Sequence, residues 1–148
     1  MLFTASCNEQ VLIPEHAKQI HKQEFTMPPD STQLALAEQI LDEMIEAERE
    51  GNDDYKLFVK HFDDESLKDF GPTTFKREMM SCRIDLGAYI SREYLGALKG
   101  HVDPDYPDKH PECIRYNWRG IFEKNETLIT LGIHKKDGEY FVNEIMYR

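Results

Sequence analysis

The stretch CIRYNWRGIFEKNETLITLGIHKKDGEYFVNEIMYR, residues 113–148, predicts three consecutive β-strands joined by tight turns. In the first of these strands apolar and polar residues alternate from Ile114 to Phe122, which is the period of a strand with one buried face. Asp137-Gly138 predicts a hairpin, because a type I′ turn needs positive φ at both central positions. The last strand, residues 140–147, carries apolar residues on both faces, so we expect it to be central in the sheet or covered on both sides.

The sequence before this stretch follows helical spacing. A first helix is predicted over residues 32–50, and Gly51 is its natural stop. Its apolar stripe consists of Ala37, Ile40, Leu41, Met44 and Ile45, and Glu48 continues the same spacing. A second helix is predicted from Asn52 or Asp53 as far as the acidic run 63–65, and a third from Pro72 to Gly87. A less regular strand follows at residues 89–98, before a loop rich in Pro and Asp at residues 101–112.

This order of elements predicts an α+β fold in which N-terminal helices pack on a curved antiparallel β-sheet. Gly120 and Gly132 lie inside predicted strands, where glycine weakens a sheet unless the sheet must bend. Residues 31–148 are long enough to form one domain with its own core. Pro28-Pro29 marks a break before the first helix, so residues 1–30 are interpreted as an N-terminal tether or signal remnant.

Four phrases of the sequence resemble the nuclear-transport-factor-2-like, cystatin-related α+β superfamily, in particular its small, mostly uncharacterised bacterial members. They are YKLFVKHFD at 55–63, DLGAY at 85–89, YNWRGIF at 116–122 and KDGEYFV at 136–142. The resemblance extends from about Thr32 to the end of the chain and implies a cone-shaped domain whose helices and sheet can enclose a pocket. Because this superfamily includes isomerases, dehydratases, cyclases and many non-catalytic binding domains, the resemblance implies a fold and not one activity.

The 148-residue chain is acidic, with a formal charge of −10 and with its basic residues scattered singly. Because each phosphate contact requires a Lys or Arg, we expect no nucleic-acid partner. No segment approaches the apolar length of a membrane-spanning helix, so contact with a membrane is expected only through a lipid anchor.

The segment MLFTASC, residues 1–7, places small residues directly before a cysteine and resembles the lipobox of bacterial lipoproteins. In that class a signal peptidase cuts before the cysteine, here Cys7, which then carries the lipid and holds the protein at the cell envelope. The segment has no basic region and only two apolar residues before the small ones, so either translation starts upstream or the match is accidental and the protein is cytoplasmic. Lipidation of Cys7 would leave Cys82 and Cys113 to pair in an oxidising compartment, and the alternative is three unpaired thiols.

Aromatic side chains are the candidates for a ligand site. A buried tyrosine or tryptophan needs a polar partner, so some of them are expected at the edge of a pocket. The candidate ligand-binding residues are Tyr55, Tyr94, Tyr116 and Trp118. The alternative is that they belong to the core, because periodicity places most aromatic residues on inward faces. The identity of the ligand, a small molecule or a protein, is left open.

The loop that ends at Cys113 combines imidazole, carboxylate and thiolate groups that could bind zinc or a similar metal. The spacing of His101, Asp103, Asp105, His110 and Cys113 matches no known motif. We therefore expect no metal site and no cofactor.

A catalytic carboxylate–tyrosine pair is the alternative to simple binding. An enzyme resembling ketosteroid isomerase needs a base that faces a hydrogen-bond donor for the enolate. The available donors are Tyr94 and Tyr116, the available bases are Asp85 and Glu144, and His134 could serve as either. Nothing in the sequence brings these residues together, and it contains no nucleophile or phosphate-binding motif, so no catalytic residue is assigned.

The sequence is therefore interpreted as a non-catalytic binding or interaction module. One alternative is a small isomerase or dehydratase with its active site in the cone. Another is a structural homodimer subunit that pairs through an exposed sheet face, as the apolar residues on both faces of residues 140–147 suggest.

Overall fold

The computed structural model of the protein describes the backbone of residues 2–5 and both backbone and side chains of residues 31–99 and 113–147. In chain order the elements are β1 (Leu2–Ala5), α1 (Ser31–Glu48), α2 (Tyr55–Phe58), α3 (Asp64–Asp69), α4 (Pro72–Leu86), β2 (Tyr89–Lys99), β3 (Ile114–Phe122), β4 (Glu126–Lys136) and β5 (Glu139–Tyr147). The helices share a hydrophobic core with the sheet. The predicted α+β fold class is confirmed.

Within the described residues the sheet has five strands in the order β1-β5-β4-β3-β2. Strands β2 to β5 form an antiparallel meander, and β1 adds to β5 in parallel at one edge. The last strand therefore lies between two neighbours, as predicted, and its residues from Val142 to Tyr147 are buried. Of the apolar residues that suggested a homodimer, Val142, Ile145, Met146 and Tyr147 are buried within a single chain, whereas Tyr140 and Phe141 are half-buried, and pairing between chains stays a prediction.

Strand β1 lies within the segment that the sequence assigned to a tether or signal remnant. Its register pairs Leu2 with Glu144 and Ala5 with Tyr147. Cleavage before Cys7 would remove this strand from the sheet. The lipoprotein hypothesis therefore implies a mature protein without β1.

The first and last helices agree closely with the sequence. Helix α1 buries Ala37, Ile40, Leu41, Met44 and Ala47 and ends at Glu48, shortly before the predicted end. Helix α4 has Pro72 in its first turn, where no intrahelical amide is lost. It ends where Gly87, at φ +75°, donates its N–H to the Arg83 carbonyl at 3.0 Å. A positive φ of this kind favours glycine after the last helical residue.

The prediction of one continuous second helix is wrong. Helix α2 covers only Tyr55–Phe58, and the chain then forms a bridge to β5 between Phe62 and Val142. Asp63 follows as the cap of a separate helix α3 and accepts a hydrogen bond from the Ser66 N–H at 2.6 Å. The acidic run that was interpreted as a helix end is the start of α3, because carboxylates satisfy and stabilise the amides of a first turn.

One hydrophobic core lies between the helices and the inner face of the sheet. It includes Ile40, Leu41, Met44, Phe58, Phe75, Met79 and Leu86 from the helices, and Tyr116, Trp118, Ile129, Leu131, Val142 and Ile145 from the strands. The members in β3 and β4 recur with the predicted period of two, whereas Val142 and Ile145 are three positions apart, on either side of a register shift in the β4–β5 ladder. The middle of the sheet is filled in this way, and an open space lies at one end, where α1 and α4 terminate.

The two strand glycines permit close packing between neighbouring strands. A Cβ at Gly120 would lie 2.7 Å from Cδ1 of Ile129 and 2.9 Å from Cε2 of Phe122. A Cβ at Gly132 would lie 2.9 Å from Cβ of Glu144. Gly132 also adjoins a register shift in the β4–β5 ladder, and such shifts bend a strand.

Replacing Gly120 by Ala is expected to lower the free energy of unfolding by about 1–3 kcal/mol, the usual cost of overpacking a core. Ile129→Val removes the nearest atom, so the double variant should be more stable than the sum of the two single effects predicts. Urea unfolding followed by circular dichroism measures wild type, both single variants and the double variant. Strict additivity would contradict the packing explanation for Gly120.

Candidate ligand-binding cavity

A cavity of about 610 Å³ opens at the end of the domain where α1 and α4 terminate. The first residues of β2, the turn between β3 and β4, and the last residue of β5 complete its wall. The walls are mostly apolar, and their apolar members include Ile45, Met79, Ile84, Tyr89 and Phe122. The volume lies in the range of about 300–1,000 Å³ that is typical of pockets for small organic molecules.

Glu48 places a carboxyl group in the wall of this cavity. It is the last residue of α1, and its spacing from Met44 and Ile45 brings it to the apolar side of that helix. The residue as a whole is partly exposed, but its carboxyl group is enclosed. Burial raises the pKa of Glu48 to about 8, although the hydrogen bond from Tyr147 and the charge of Arg83 oppose the shift. The carboxyl group therefore keeps its proton at neutral pH.

Tyr147 at the end of β5 donates a hydrogen bond from its hydroxyl to Oε1 of Glu48 at 3.2 Å. The tyrosine is buried, and burial together with the nearby Glu48 raises its pKa well above the usual 10. It is therefore a neutral donor at physiological pH. Oε2, the other oxygen of Glu48, has no hydrogen-bond partner in the described part of the chain.

Arg83 fastens the end of α1 to α4. Its guanidinium donates to the backbone carbonyl of Glu48 and to Oδ1 of Asp53, the latter at 3.0 Å. The last carbonyls of a helix lack intrahelical partners, so a cation at this position satisfies one of them and interacts favourably with the helix dipole. These contacts hold the backbone of Glu48, and with it the position of the carboxyl group.

The other charged groups of the lining are already engaged or exposed. Nζ of Lys124 donates to the Ile84 carbonyl at 2.8 Å, and Oε1 of Glu123 accepts from the Ala88 N–H at 3.2 Å. Arg49 and Glu50, which directly follow α1, are exposed to solvent. Among the described residues of the wall, Glu48 is therefore the buried ionisable group that has an oxygen, Oε2, available to form a hydrogen bond with a ligand.

The four aromatic residues predicted to bind a ligand do not line this cavity. Trp118 is fully buried, and its indole N–H donates to Oε1 of Glu38 at 2.8 Å. Tyr94 packs on Trp118 with ring centroids 5.9 Å apart, and Tyr55 donates to a backbone carbonyl at 2.7 Å. Tyr116 borders a second, small space of about 100 Å³. All four belong to the core or pack against it, and a role for them in ligand binding stays a prediction.

The predicted pairs of carboxylate and tyrosine are not brought together. Tyr116 lies on the inner face of the sheet, whereas the strand register places Glu144 on the opposite face. Asp85 is half-exposed on α4. His134 lies on the outer face with its Nε2 3.4 Å from Oδ2 of Asp63, and burial lowers its pKa. The period of two in a strand separates these groups, because neighbouring positions point to opposite faces.

The proposed pairing of Cys82 with Cys113 is wrong. Cys113 is a free thiol without exposed surface, and burial raises its pKa to about 11. Cys82 is disulfide-bonded and lies in the wall of the cavity. Cys7 and the loop residues considered for zinc, His101 to His110, lie outside the described residues. Within the ranges that are described, no group of three His, Cys, Asp or Glu side chains could hold a metal ion.

Glu48 and Tyr147 are the site residues that sequence reasoning missed. A signal for Glu48 was present, since a carboxylate that continues an apolar stripe is a candidate for burial. Tyr147 gave no such signal, because a tyrosine in a strand with two apolar faces is ordinarily a core residue. The two residues are 99 positions apart in sequence, and their side chains come into contact because the end of α1 lies beside the end of β5.

None of the helices that the structure describes is long and apolar enough to cross a membrane. Comparisons of the chain with protein-family models, with curated proteins and with solved structures found no match. Its function is therefore inferred from the cavity and from the groups in the cavity wall.

Proposed function

We propose that the protein is a small-molecule-binding domain and that its ligand occupies the cavity at the ends of α1 and α4. One observation carries the proposal: mostly apolar walls and an enclosed carboxyl group surround the same space of about 610 Å³. Apolar walls supply affinity, and a small number of directed polar groups supplies orientation. An enclosed carboxyl group costs free energy that a purely structural core avoids, so it supports a functional role for Glu48.

The proposal agrees with the interpretation of the sequence as a binding module. Membership in the nuclear-transport-factor-2-like superfamily is part of the proposal, and helices packed on an antiparallel sheet with a cavity at its end support it. Attachment to a cell envelope through a lipidated Cys7 is a separate proposal that rests on the sequence motif, and it requires that Cys7 is not the disulfide partner of Cys82. Intact-mass measurement of the protein from its own cells tests that attachment, because cleavage before Cys7 removes the residues of β1.

A fragment screen followed by protein NMR tests the binding site. We expect fragments to shift the amide signals of residues in the cavity wall of the wild-type protein. Ala88→Trp places an indole at the wall of the cavity and should abolish those shifts. Lys76→Trp adds the same side chain at an exposed position of α4 outside the wall, so it should leave binding unchanged. Absence of binding to the wild type, or equal binding by both variants, would refute the proposed site.

A proton-transfer enzyme of the isomerase or dehydratase type is a second candidate, favoured by the contact between Glu48 and Tyr147. A carboxyl group whose pKa lies near neutrality can accept and return a proton, and a neutral tyrosine can stabilise an oxyanion. Exchange of solvent deuterium into a bound ketone distinguishes the binding domain from the enzyme. Solvent deuterium enters the α-carbon of a bound ketone at a rate above background only if the protein catalyses proton transfer.

A further inference from the structure

The cavity wall leaves one oxygen of Glu48, Oε2, for a directed contact with a ligand. The Tyr147 hydroxyl donates a hydrogen bond to Oε1 of Glu48. The hydrogen bonds of Arg83 hold the end of α1, which carries this carboxyl group. In its protonated form the carboxyl group presents an O–H donor at Oε2, so a group that accepts one hydrogen bond and donates none complements it. A carbonyl oxygen has this property, whereas an alcohol or amide also carries a donor that needs an acceptor of its own.

The charges around Glu48 disfavour an ionic ligand. An amine at Oε2 would lie close to the guanidinium of Arg83, which contacts the Glu48 backbone. A carboxylate would find Arg83 already paired with Asp53 and Lys124 already bonded to a backbone carbonyl, while Glu123 contributes a negative charge to the same wall. An uncharged, largely apolar ligand avoids the desolvation cost of both alternatives.

We propose that the ligand is an uncharged, mostly apolar molecule with a carbonyl oxygen that accepts a hydrogen bond from the carboxyl group of Glu48. This inference rests on the proposed function of the cavity. The ionisable and charged groups around Glu48 and Tyr147 come from each surrounding element: Tyr147 from β5, Arg83 from α4, Tyr89 and Arg92 from β2, Lys124 and Glu123 from the turn after β3, and Arg49 and Glu50 directly after α1. Tyr147 remains neutral above pH 7 because its pKa is raised well above 10. The hydrogen-bond donor at Oε2 is therefore lost in this pH range when the Glu48 carboxyl group gives up its proton.

Three probes of matched size and different charge test the ligand class: cyclohexyl methyl ketone, cyclohexanecarboxylate and cyclohexylmethylamine. Their affinities are measured by NMR titration at about pH 6 and about pH 9.5. We expect the ketone to bind most tightly at the lower pH and to bind about three- to tenfold more weakly at the higher pH, the effect of losing one hydrogen bond. Tighter binding of the carboxylate or the amine, or a ketone affinity that does not change with pH, would overturn the proposal.

Two variants of Glu48 separate the donor from other effects of pH. Glu48→Gln keeps a neutral donor and should bind the ketone with an affinity that no longer depends on pH. Glu48→Leu removes the donor and should weaken binding of the ketone about three- to tenfold at the lower pH. Equal ketone affinities for Glu48→Leu and the wild type would count against the proposed hydrogen bond. If the ketone does not bind but other fragments bind the wild type and not Ala88→Trp, the ligand class is wrong. The proposed function of the cavity is then still supported.

Discussion

The wild-type protein is expected to lose stability relative to Glu48→Gln as the pH rises from about 5 to about 9. In the unfolded chain Glu48 has its ordinary pKa of 4.5, whereas burial raises the pKa in the folded protein to about 8. Between these values the folded state binds more protons than the unfolded state, so the free energy of unfolding falls as pH rises. The contribution is fully present below pH 4.5 and is lost as the pH passes through 8. At about 1.4 kcal/mol per pKa unit its upper limit is about 5 kcal/mol.

Urea unfolding at about pH 5, 7 and 9 measures this dependence. Glu50→Gln is the matched control, since it removes an exposed carboxylate at the same end of α1. The control variant should follow the pH dependence of the wild type, whereas Glu48→Gln should diverge from it and become the more stable protein at the highest pH. Parallel curves for Glu48→Gln and the wild type would mean that the Glu48 carboxyl group is solvated in solution.

Phe58→Ala is expected to lower the free energy of unfolding by about 3–5 kcal/mol, the usual cost of truncating a buried phenylalanine. Phe58 is only 4% exposed, and its ring centroid lies 4.9 Å from that of Phe75, 5.6 Å from Phe70 and 5.8 Å from Phe62. These rings come from α4, from the end of α3 and from the bridge to β5. One side chain therefore joins helices α2 and α3, which are too short to be stable in isolation.

Lys56→Ala is the control for Phe58→Ala, because it truncates an exposed side chain in the same short helix. It should change stability by less than about 0.5 kcal/mol. Chemical unfolding monitored by circular dichroism compares the two variants, and tryptophan fluorescence reports on the core through Trp118. A loss below about 1 kcal/mol for Phe58→Ala would show that the aromatic cluster relaxes around the missing ring.

The fold class could be predicted because its signals are local. A period of two marked β3 and β4, Asp137-Gly138 marked the last hairpin, and a helical period marked α1 and α4. Asp137 and Gly138 both have positive φ, as the predicted turn requires. Each of these signals acts between residues near in sequence, so it is readable without knowledge of the tertiary packing.

The second helix could not be predicted correctly for the opposite reason. Its apolar positions fit a helix, but the backbone near Phe62 pairs with Val142, eighty positions away in sequence. That contact competes with helix continuation, and the Asp63 side chain then caps a new helix instead of ending an old one. The edge strand β1 was likewise unpredicted, since its partner is the far end of the chain.

The period of the apolar residues and the turn residues along the chain were sufficient to predict the class of fold and most of its core. Both depend on the burial of apolar faces, which the sequence pattern shows directly. The candidate site depended on tertiary packing. The pKa of Glu48 is raised because its carboxyl group is buried where α1 ends beside Tyr147 and α4, although the Tyr147 hydrogen bond and the charge of Arg83 oppose the shift. The pKa of a carboxyl group depends on what surrounds it in space, and residues far apart in sequence supply those surroundings here.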